Sequence, residues 1–407
     1  MAYTASIVDS LSHFSDGELQ AVTGNADIFL DWRYLRMCER LDLSEACRGA
    51  LRLRFGAVTS GGELVALCPF LVTRSPSILY PYSLEKLYFT SWQDQLLRIN
   101  PDSASWIRYA IFGANAYRQF ARRIGTGIEG FVLATSPLAT RGGIACREAE
   151  DTPRVYDAVI EALKGVATDE RLPLCFNAIA ESSPIARALD RAEFAQSFYV
   201  FDHELTIADG GIESYLKQFA PKVRRNFKAE MRAAEKAGYR FELCRDIDPW
   251  KDAIASSYST TNAKYGEEYF VHPPSFWTQL AGLLDANVET VVVRKGDRFA
   301  GFTTMLHKGD EMYVYRLGRV PEDDGEEPPI YFDLMAWQPI KRAAELGLRR
   351  IWLASGAWDA KRHRGARGRP FYRHFWFPST RSRLLLGPFV SVFGRINRAQ
   401  VSRRIAS

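Results

Sequence analysis

The chain has 407 residues, 47% hydrophobic and 25% charged, with a formal net charge of +5. That is a globular composition, long enough for about two to three folding units. No run approaches the roughly 18 apolar residues of a membrane span, and the first twenty residues lack the apolar core of a signal peptide. Six cysteines stand singly, none in a metal-binding spacing, and the six histidines are equally dispersed. The expectation is therefore reduced thiols, a cytoplasmic setting and no metal.

The charge is segregated. Lys361 to Ser407 contains twelve Lys/Arg and no acid, which leaves −7 on the first 360 residues. A cationic end of this density calls for phosphate, as RNA, a nucleotide or an anionic lipid surface, unless it is a solvated tail. Trp358, Phe371, Tyr372, Phe375, Trp376 and Phe377 lie among or beside the first arginines, and so many aromatics predict packing.

In chain order, alternation over Leu51–Val58 and Leu64–Val72 around Gly61-Gly62 predicts a hairpin. A helix carrying Val155, Val159, Ile160 and Leu163 on one face follows, then a strand over Leu174–Ile179. The second half repeats this layout. Strands are expected over Val288–Val293, Phe299–Leu306 and Glu311–Leu317, with turns at Gly296-Asp297 and Gly309-Asp310. A helix with Leu334, Trp337, Ile340 and Ala344 inward comes next, interrupted at Pro339 and stopped by Gly347. A strand over Arg350–Ala354 closes the pattern. A β-meander with a crossing helix, used twice, is the economical reading.

Between the halves, Glu213–Ala237 reads as a helix divided at Pro221 and ended by Gly238. Its apolar side is Tyr215, Leu216, Phe219, Val223, Phe227 and Met231. Lys222, Arg224, Arg225, Lys228 and Arg232 form a cationic side, as a phosphate contact or as a solvated face paired with Glu230 and Glu235. The acidic, proline-rich stretch Val320–Pro329 reads as a loop.

The segment YLKQFAPKVRRNFKAEMRAAEKAGYRFEL resembles the start of the acyltransferase domain of FemAB-like and BioF2-like members of the GNAT superfamily. The meander ETVVVRKGDRFAGFTTMLHKGDEMYVYRLG and the ending AAELGLRRIWLASGAWDAKRHRGARGRPFYRHFWF are similar to that family in the same order. The resemblance covers roughly residues 204–377. The first half looks like the degenerate first copy of a tandem GNAT protein. It implies an α/β (α+β) fold of tandem GNAT-like domains, each a mixed, mostly antiparallel sheet flanked by helices. The divisions would be 1–203 and 204–380, with a basic tail over 381–407.

The family passes an acyl or aminoacyl group to an amine of a small molecule or peptide, without a tightly bound cofactor. Ordinary acetyl-CoA-using members grip pyrophosphate with a Gly-rich loop before a helix. Here the acids of Glu322–Pro329 occupy that place and would repel it. The resemblance thus implies aminoacyl-tRNA as co-substrate, with acyl-CoA as the alternative and a non-catalytic RNA- or membrane-binding module as a third reading. The donor would lie on Lys222, Arg224, Arg225 and Lys228 with Arg362, Arg364, Arg367 and Arg369. Lys361 aligns with the lysine that FemX-type enzymes place near the reacting ester and is the expected oxyanion partner. Tyr315 would protonate a leaving group or orient substrate, and Tyr313 and Arg316 would contact substrate. Asp333 would be a base, or a helix-dipole partner. In the tail, Phe389, Val390, Phe393 and Ile396 lie opposite Arg395, Arg398 and Arg403. That arrangement suits an amphipathic helix on anionic lipid or one packed back on the protein.

Overall fold

The two glycines of the expected hairpin decide the first turn in the computed structural model. Gly61 and Gly62 take φ of 61° and 89°, the double positive φ that a two-residue hairpin turn demands. The structure describes residues 2–43, 51–74, 104–139, 141–148, 150, 152–207, 210–264, 272–321 and 329–406. The acidic loop residues 322–328 lie outside them.

Among these residues the chain forms β1 (Tyr3–Val8), α1 (Asp16–Thr23), α2 (Trp32–Arg40), β2 (Leu51–Ser60), β3 (Glu63–Thr73), α3 (Ala104–Arg123) and β4 (Phe131–Ala134). There follow β5 (Ala145–Cys146), α4 (Thr152–Glu170), β6 (Leu174–Ala180), α5 (Pro184–Arg191), β7 (Ala195–Thr206), α6 (Gly211–Leu216) and α7 (Pro221–Lys236). The second half adds β8 (Tyr239–Cys244), α8 (Lys251–Lys264), α9 (Pro274–Leu284), β9 (Val288–Lys295), β10 (Arg298–Lys308) and β11 (Glu311–Arg319). Then come a π-helical turn (Asp333–Trp337), α10 (Gln338–Glu345), β12 (Arg350–Trp352), α11 (Trp358–His363), β13 (Arg367–Trp376) and α12 (Thr380–Ala406).

Two compact units result, Met1–Val200 with Pro370–Ser407, and Phe201–Arg369. The sequence alone suggests 204–380 as one domain and 381–407 as a tail. In the structure the chain from 370 onward joins the first unit. In that unit β1-β2-β3-β4 run antiparallel, β6 lies parallel to β4, and β13 pairs antiparallel with β6. The second unit has the same order: β8-β9-β10-β11 antiparallel, β12 parallel to β11, β7 antiparallel to β12. A parallel neighbour needs a crossover. It is α4 in the first unit and the π turn with α10 in the second. The fold is thus tandem and GNAT-like, each sheet mixed and mostly antiparallel.

The cores follow the expected periodicities. Val155, Val159, Ile160 and Leu163 of α4 are buried against Phe70, Val132 and Phe176. In the second unit Phe227 of α7, Met312 and Val314 of β11, and Trp337 and Ile340 share one cluster. Pro221 starts α7, as a residue without an N–H should. At Pro339 the helix restarts rather than bends. The missing N–H strands a carbonyl one turn back, and the chain takes up the slack as the π turn, closed by the Gln338 N–H on Asp333 O.

Helix α12 packs one of its faces on the first unit. Leu386, Val390 and Phe393 are buried, Phe389 stacks on Tyr117 of α3, and Gly394 runs against the backbone of Ser197 and Phe198. A Cβ at residue 394 would sit 2.6 Å from the Phe198 nitrogen. The face carrying Phe389, Val390 and Phe393 packs back on the protein.

Candidate functional site

In the second unit β11 and β12 pair over only three positions, Glu311↔Arg350, Met312↔Ile351 and Tyr313↔Trp352, and then separate. The cause lies in both strands. On β11, Thr304↔Arg316 is followed by Met305↔Val314, so Tyr315 is the extra residue of a bulge. A bulge bends its strand and turns two successive side chains to one face. Accordingly the Arg316 guanidinium lies 4.0 Å over the Tyr315 ring and 5.7 Å over Tyr258 of α8. On β12 the chain leaves the sheet at Ala354, whose φ of 60° is left-handed. The result is a notch between two strand ends.

Lys361 lies at the β12 side of that splay. It stands on the short helix α11, 4% exposed, and its Nζ donates to the carbonyls of Leu353 and, at 3.0 Å, Ala354. An ammonium has three N–H donors, so one remains beyond these two. Burial pushes its pKa down from 10.5 to about 8, opposed by the nearby Asp202 carboxylate. At neutral pH it is mostly charged, yet an easy proton donor.

His203 of β7 shares the same carbonyl, its Nδ1 3.1 Å from Ala354 O. Its ring is 1% exposed and its Nε2 is buried without a hydrogen-bond partner among the described residues. Burial, then the Lys361 charge, lowers its pKa and favours the neutral ring. Asp202 accepts from the His203 backbone N–H at 2.8 Å. Sequence reasoning named Lys361 but missed His203 and Asp202. The available signal was Asp202-His203-Glu204, three polar residues in a row directly after the apolar run Phe198 to Phe201.

The other expected residues divide. Tyr313 donates to Glu311 at 2.6 Å and stacks on Trp352, and Tyr315 stacks on Phe276 of α9. Both are buried. Asp333 is no solvent-facing dipole partner. It is 2% exposed, its Oδ2 lacks a hydrogen bond among the described residues, and burial raises its pKa to about 7.

The cationic surface is smaller than expected. Arg364 turns inward, 3% exposed, bonded to Glu230 and lying 3.4 Å over the Phe332 ring. Glu230 also accepts from Trp337 Nε1 at 2.6 Å. Arg364 is therefore core. Arg369 pairs with Glu204 and Lys228 with Glu213. Lys222 and Arg225 of α7 are exposed and Arg224 half-buried; Arg362 and Arg367 are exposed. None of these five makes an ion pair among the described residues. Arg362 lines a recess of about 680 Å³ with Phe332, Asp359, Ala360, His363 and the edge of Arg364.

The first unit has the counterpart of the notch but fills it. β4 and β6 also pair over three positions, ending at Ala134↔Phe176, and Ala178, two residues on, is left-handed at φ 53°. Here Gly142 enters the gap. A Cβ on it would lie 2.2 Å from the Asn177 carbonyl oxygen and 3.0 Å from that of Ala134. Only a glycine fits between those two strand ends.

A four-stranded meander that opens, across a crossing helix, onto a splayed parallel strand gives the second unit a GNAT-like fold. Residues 221–362, about a third of the chain, match the family described as an acetyltransferase (GNAT) domain. Over most of its length the fold matches the structure titled "Crystal structure of FemX", at 12% identity and a TM-score of 0.56, covering 94% of this chain and 100% of that one. A conserved protein of unknown function from Bacteroides thetaiotaomicron VPI-5482 matches with a TM-score of 0.53 at 10% identity, covering 91% and 99%. At these identities the likeness is one of fold. No curated protein matches the sequence.

Proposed function

We propose that the second unit is an N-acyltransferase that moves an acyl or aminoacyl group from a carrier ester to an amine, with aminoacyl-tRNA as donor. The observation that carries this is the buried Lys361 ammonium at the splayed ends of β11 and β12. In the reaction the amine nitrogen adds to the ester carbonyl, the carbonyl oxygen becomes an oxyanion, and the carrier's oxygen leaves with a proton. A preorganised ammonium in a water-poor notch stabilises that oxyanion. The free N–H of Lys361 is the group for it, and the carbonyls of Leu353 and Ala354 hold it in place. The Tyr315 hydroxyl, set on the bulge, is the candidate donor to the departing oxygen. His203 positions Lys361 through the shared Ala354 carbonyl. Asp333, enclosed and half-protonated near neutral pH, is the weakest of the candidates for a base.

Donor choice follows from charge. Lys222, Arg224, Arg225, Arg362 and Arg367 suit a polyphosphate backbone, while residues 322–327, at the position in the sequence where CoA-using relatives carry their pyrophosphate loop, include five carboxylates. The test offers the purified chain either a mixture of aminoacyl-tRNAs or acetyl-CoA, with a panel of amines, and follows loss of the ester or thioester. Amine-dependent consumption of one or more aminoacyl-tRNAs is the expected result. Consumption of the thioester alone would assign the CoA-dependent reaction, and consumption of neither would leave a binding module.

A further inference from the structure

Helices α3 and α12 share two properties found together nowhere else in the described chain. Neither contains an acid, and together they hold ten arginines, Arg108, Arg118, Arg122 and Arg123 on α3 and six on α12. They also carry five of the six large hydrophobic side chains that stand exposed among the described residues. Phe112 (74% exposed) and Phe120 lie eight residues apart on α3, with exposed Ala116 between them at helical spacing. On α12 they are Leu384 (69% exposed), Val392 and Ile396.

The two helices belong to the first unit and touch directly. Tyr117 of α3 donates to the Leu385 carbonyl at 2.6 Å and stacks on Phe389 at 5.5 Å. From Phe389, Val392 and Ile396 continue at i+3 and i+7 along the same flank of α12. The apolar residues that fix α12 to the protein, Leu386, Val390 and Phe393, point elsewhere and are already covered. The exposed stripes are thus a second apolar surface, left over after packing. Exposed arginines border it: Arg123, Arg381, Arg383 and Arg395 make no ion pair among the described residues, while Arg398 is taken up by Glu181 at 3.3 Å.

We infer that the α3–α12 face docks on an anionic lipid surface, its phenylalanines in the headgroup–acyl boundary and its arginines on lipid phosphates. A nucleic-acid face would account for the arginines but not for Phe112, Phe120, Leu384 and Val392 projecting into water. A protein partner would ordinarily meet such a patch with a mixed-charge rim, whereas these helices offer one sign only. Interfacial helices combine these two elements, apolar side chains on one face flanked by Arg or Lys. No helix of the described chain is long and apolar enough to cross a membrane, so the contact is peripheral.

The experiment is sedimentation of the full chain with vesicles of phosphatidylcholine containing about 30 mol % phosphatidylglycerol, and with pure phosphatidylcholine. Binding is expected on the anionic vesicles, with release as salt rises. Phe112→Ser with Phe120→Ser should lower the partition coefficient about tenfold or more, and Arg383→Glu with Arg395→Glu should lower it similarly. As a check that does not remove apolar surface, the indole emission that Phe112→Trp adds to that of the nine native tryptophans should be quenched by brominated acyl chains. Absence of binding to anionic vesicles, or binding that the double phenylalanine change leaves untouched, overturns the inference. So does added emission that stays unquenched, or a preference for bulk tRNA over the vesicles that the arginine changes alone abolish.

Discussion

Lys361→Met is the perturbation whose consequences the geometry specifies most fully. In the wild type, lowering the lysine pKa from 10.5 to about 8 means that the folded state holds a charge it would rather shed. At neutral pH that costs about 3 kcal/mol of stability. The sign follows from proton binding. Between those two values the unfolded chain binds more protons than the folded one, so the wild type gains stability as pH rises toward 10. Against this, the ammonium satisfies two buried carbonyls, Leu353 O and Ala354 O. Leaving each unpaired costs about 1–3 kcal/mol.

At about pH 7 methionine therefore trades one penalty for another, and the net change should be within about 3 kcal/mol. At about pH 10 the wild type's burial penalty is largely gone while the two carbonyls remain orphaned in the mutant. The mutant should then be about 2–3 kcal/mol more destabilised, relative to wild type, than at pH 7. Urea unfolding of both chains at the two pH values reads this directly. A difference that does not change with pH would refute the buried-ammonium reasoning. Turnover is separate: with the oxyanion role, Lys361→Met should lose about a hundredfold or more in kcat at near-normal donor affinity. Lys361→Arg should recover only part, since a planar fork does not fit a point-charge site. Wild-type turnover in the methionine enzyme would remove Lys361 from the chemistry.

Three further outcomes are expected. Arg224→Glu with Arg225→Glu should weaken donor binding and reduce its salt slope by about one unit for each phosphate no longer neutralised, measured by titration at several ionic strengths; an unchanged slope would move the donor elsewhere. Asp333→Asn should stabilise the chain by about 2–3 kcal/mol more at about pH 8 than at about pH 5. An acid whose folded pKa is raised to about 7 loses stability as pH climbs from its unfolded value, and the amide does not; a pH-independent effect in urea melts would contradict the buried neutral carboxyl. Gly142→Ala should destabilise by about 3 kcal/mol or more in the same melts, because its Cβ meets two carbonyl oxygens; a silent substitution would mean the gap in the first unit is not closed at that point.

Local signals reach far along this sequence. The Gly61-Gly62 hairpin, the meander from Val288, the Pro221 start of α7 and the inward face of α4 all follow from turn chemistry or periodicity over fewer than about twenty residues. The repeated layout is legible for the same reason. What escapes are properties created by distant partners. The family resemblance singles out Lys361, but its burial is legible only once α11 folds its side chain onto two carbonyls eight and seven residues back. Arg364 reads as a phosphate contact until Glu230, 134 residues earlier, takes it inside. The bulge at Tyr315 is invisible because alternation alone carries no mark of an extra residue. His203 matters only through Ala354, 151 positions away.

The assignment of residues 370 onward to the first unit has a consequence for synthesis on the ribosome. The second unit, Phe201–Arg369, is one uninterrupted stretch of chain and can complete its sheet as soon as that stretch has emerged. The first unit begins to appear earlier, yet its sheet lacks β13 and its helix α12 until residues 367–406 are made. At the usual elongation rate of about 5–20 residues per second, β6 waits on the order of ten seconds or more with an open edge. The half that is translated first is therefore the half that matures last. An unpaired β6 edge is, over that interval, a site for wrong pairing.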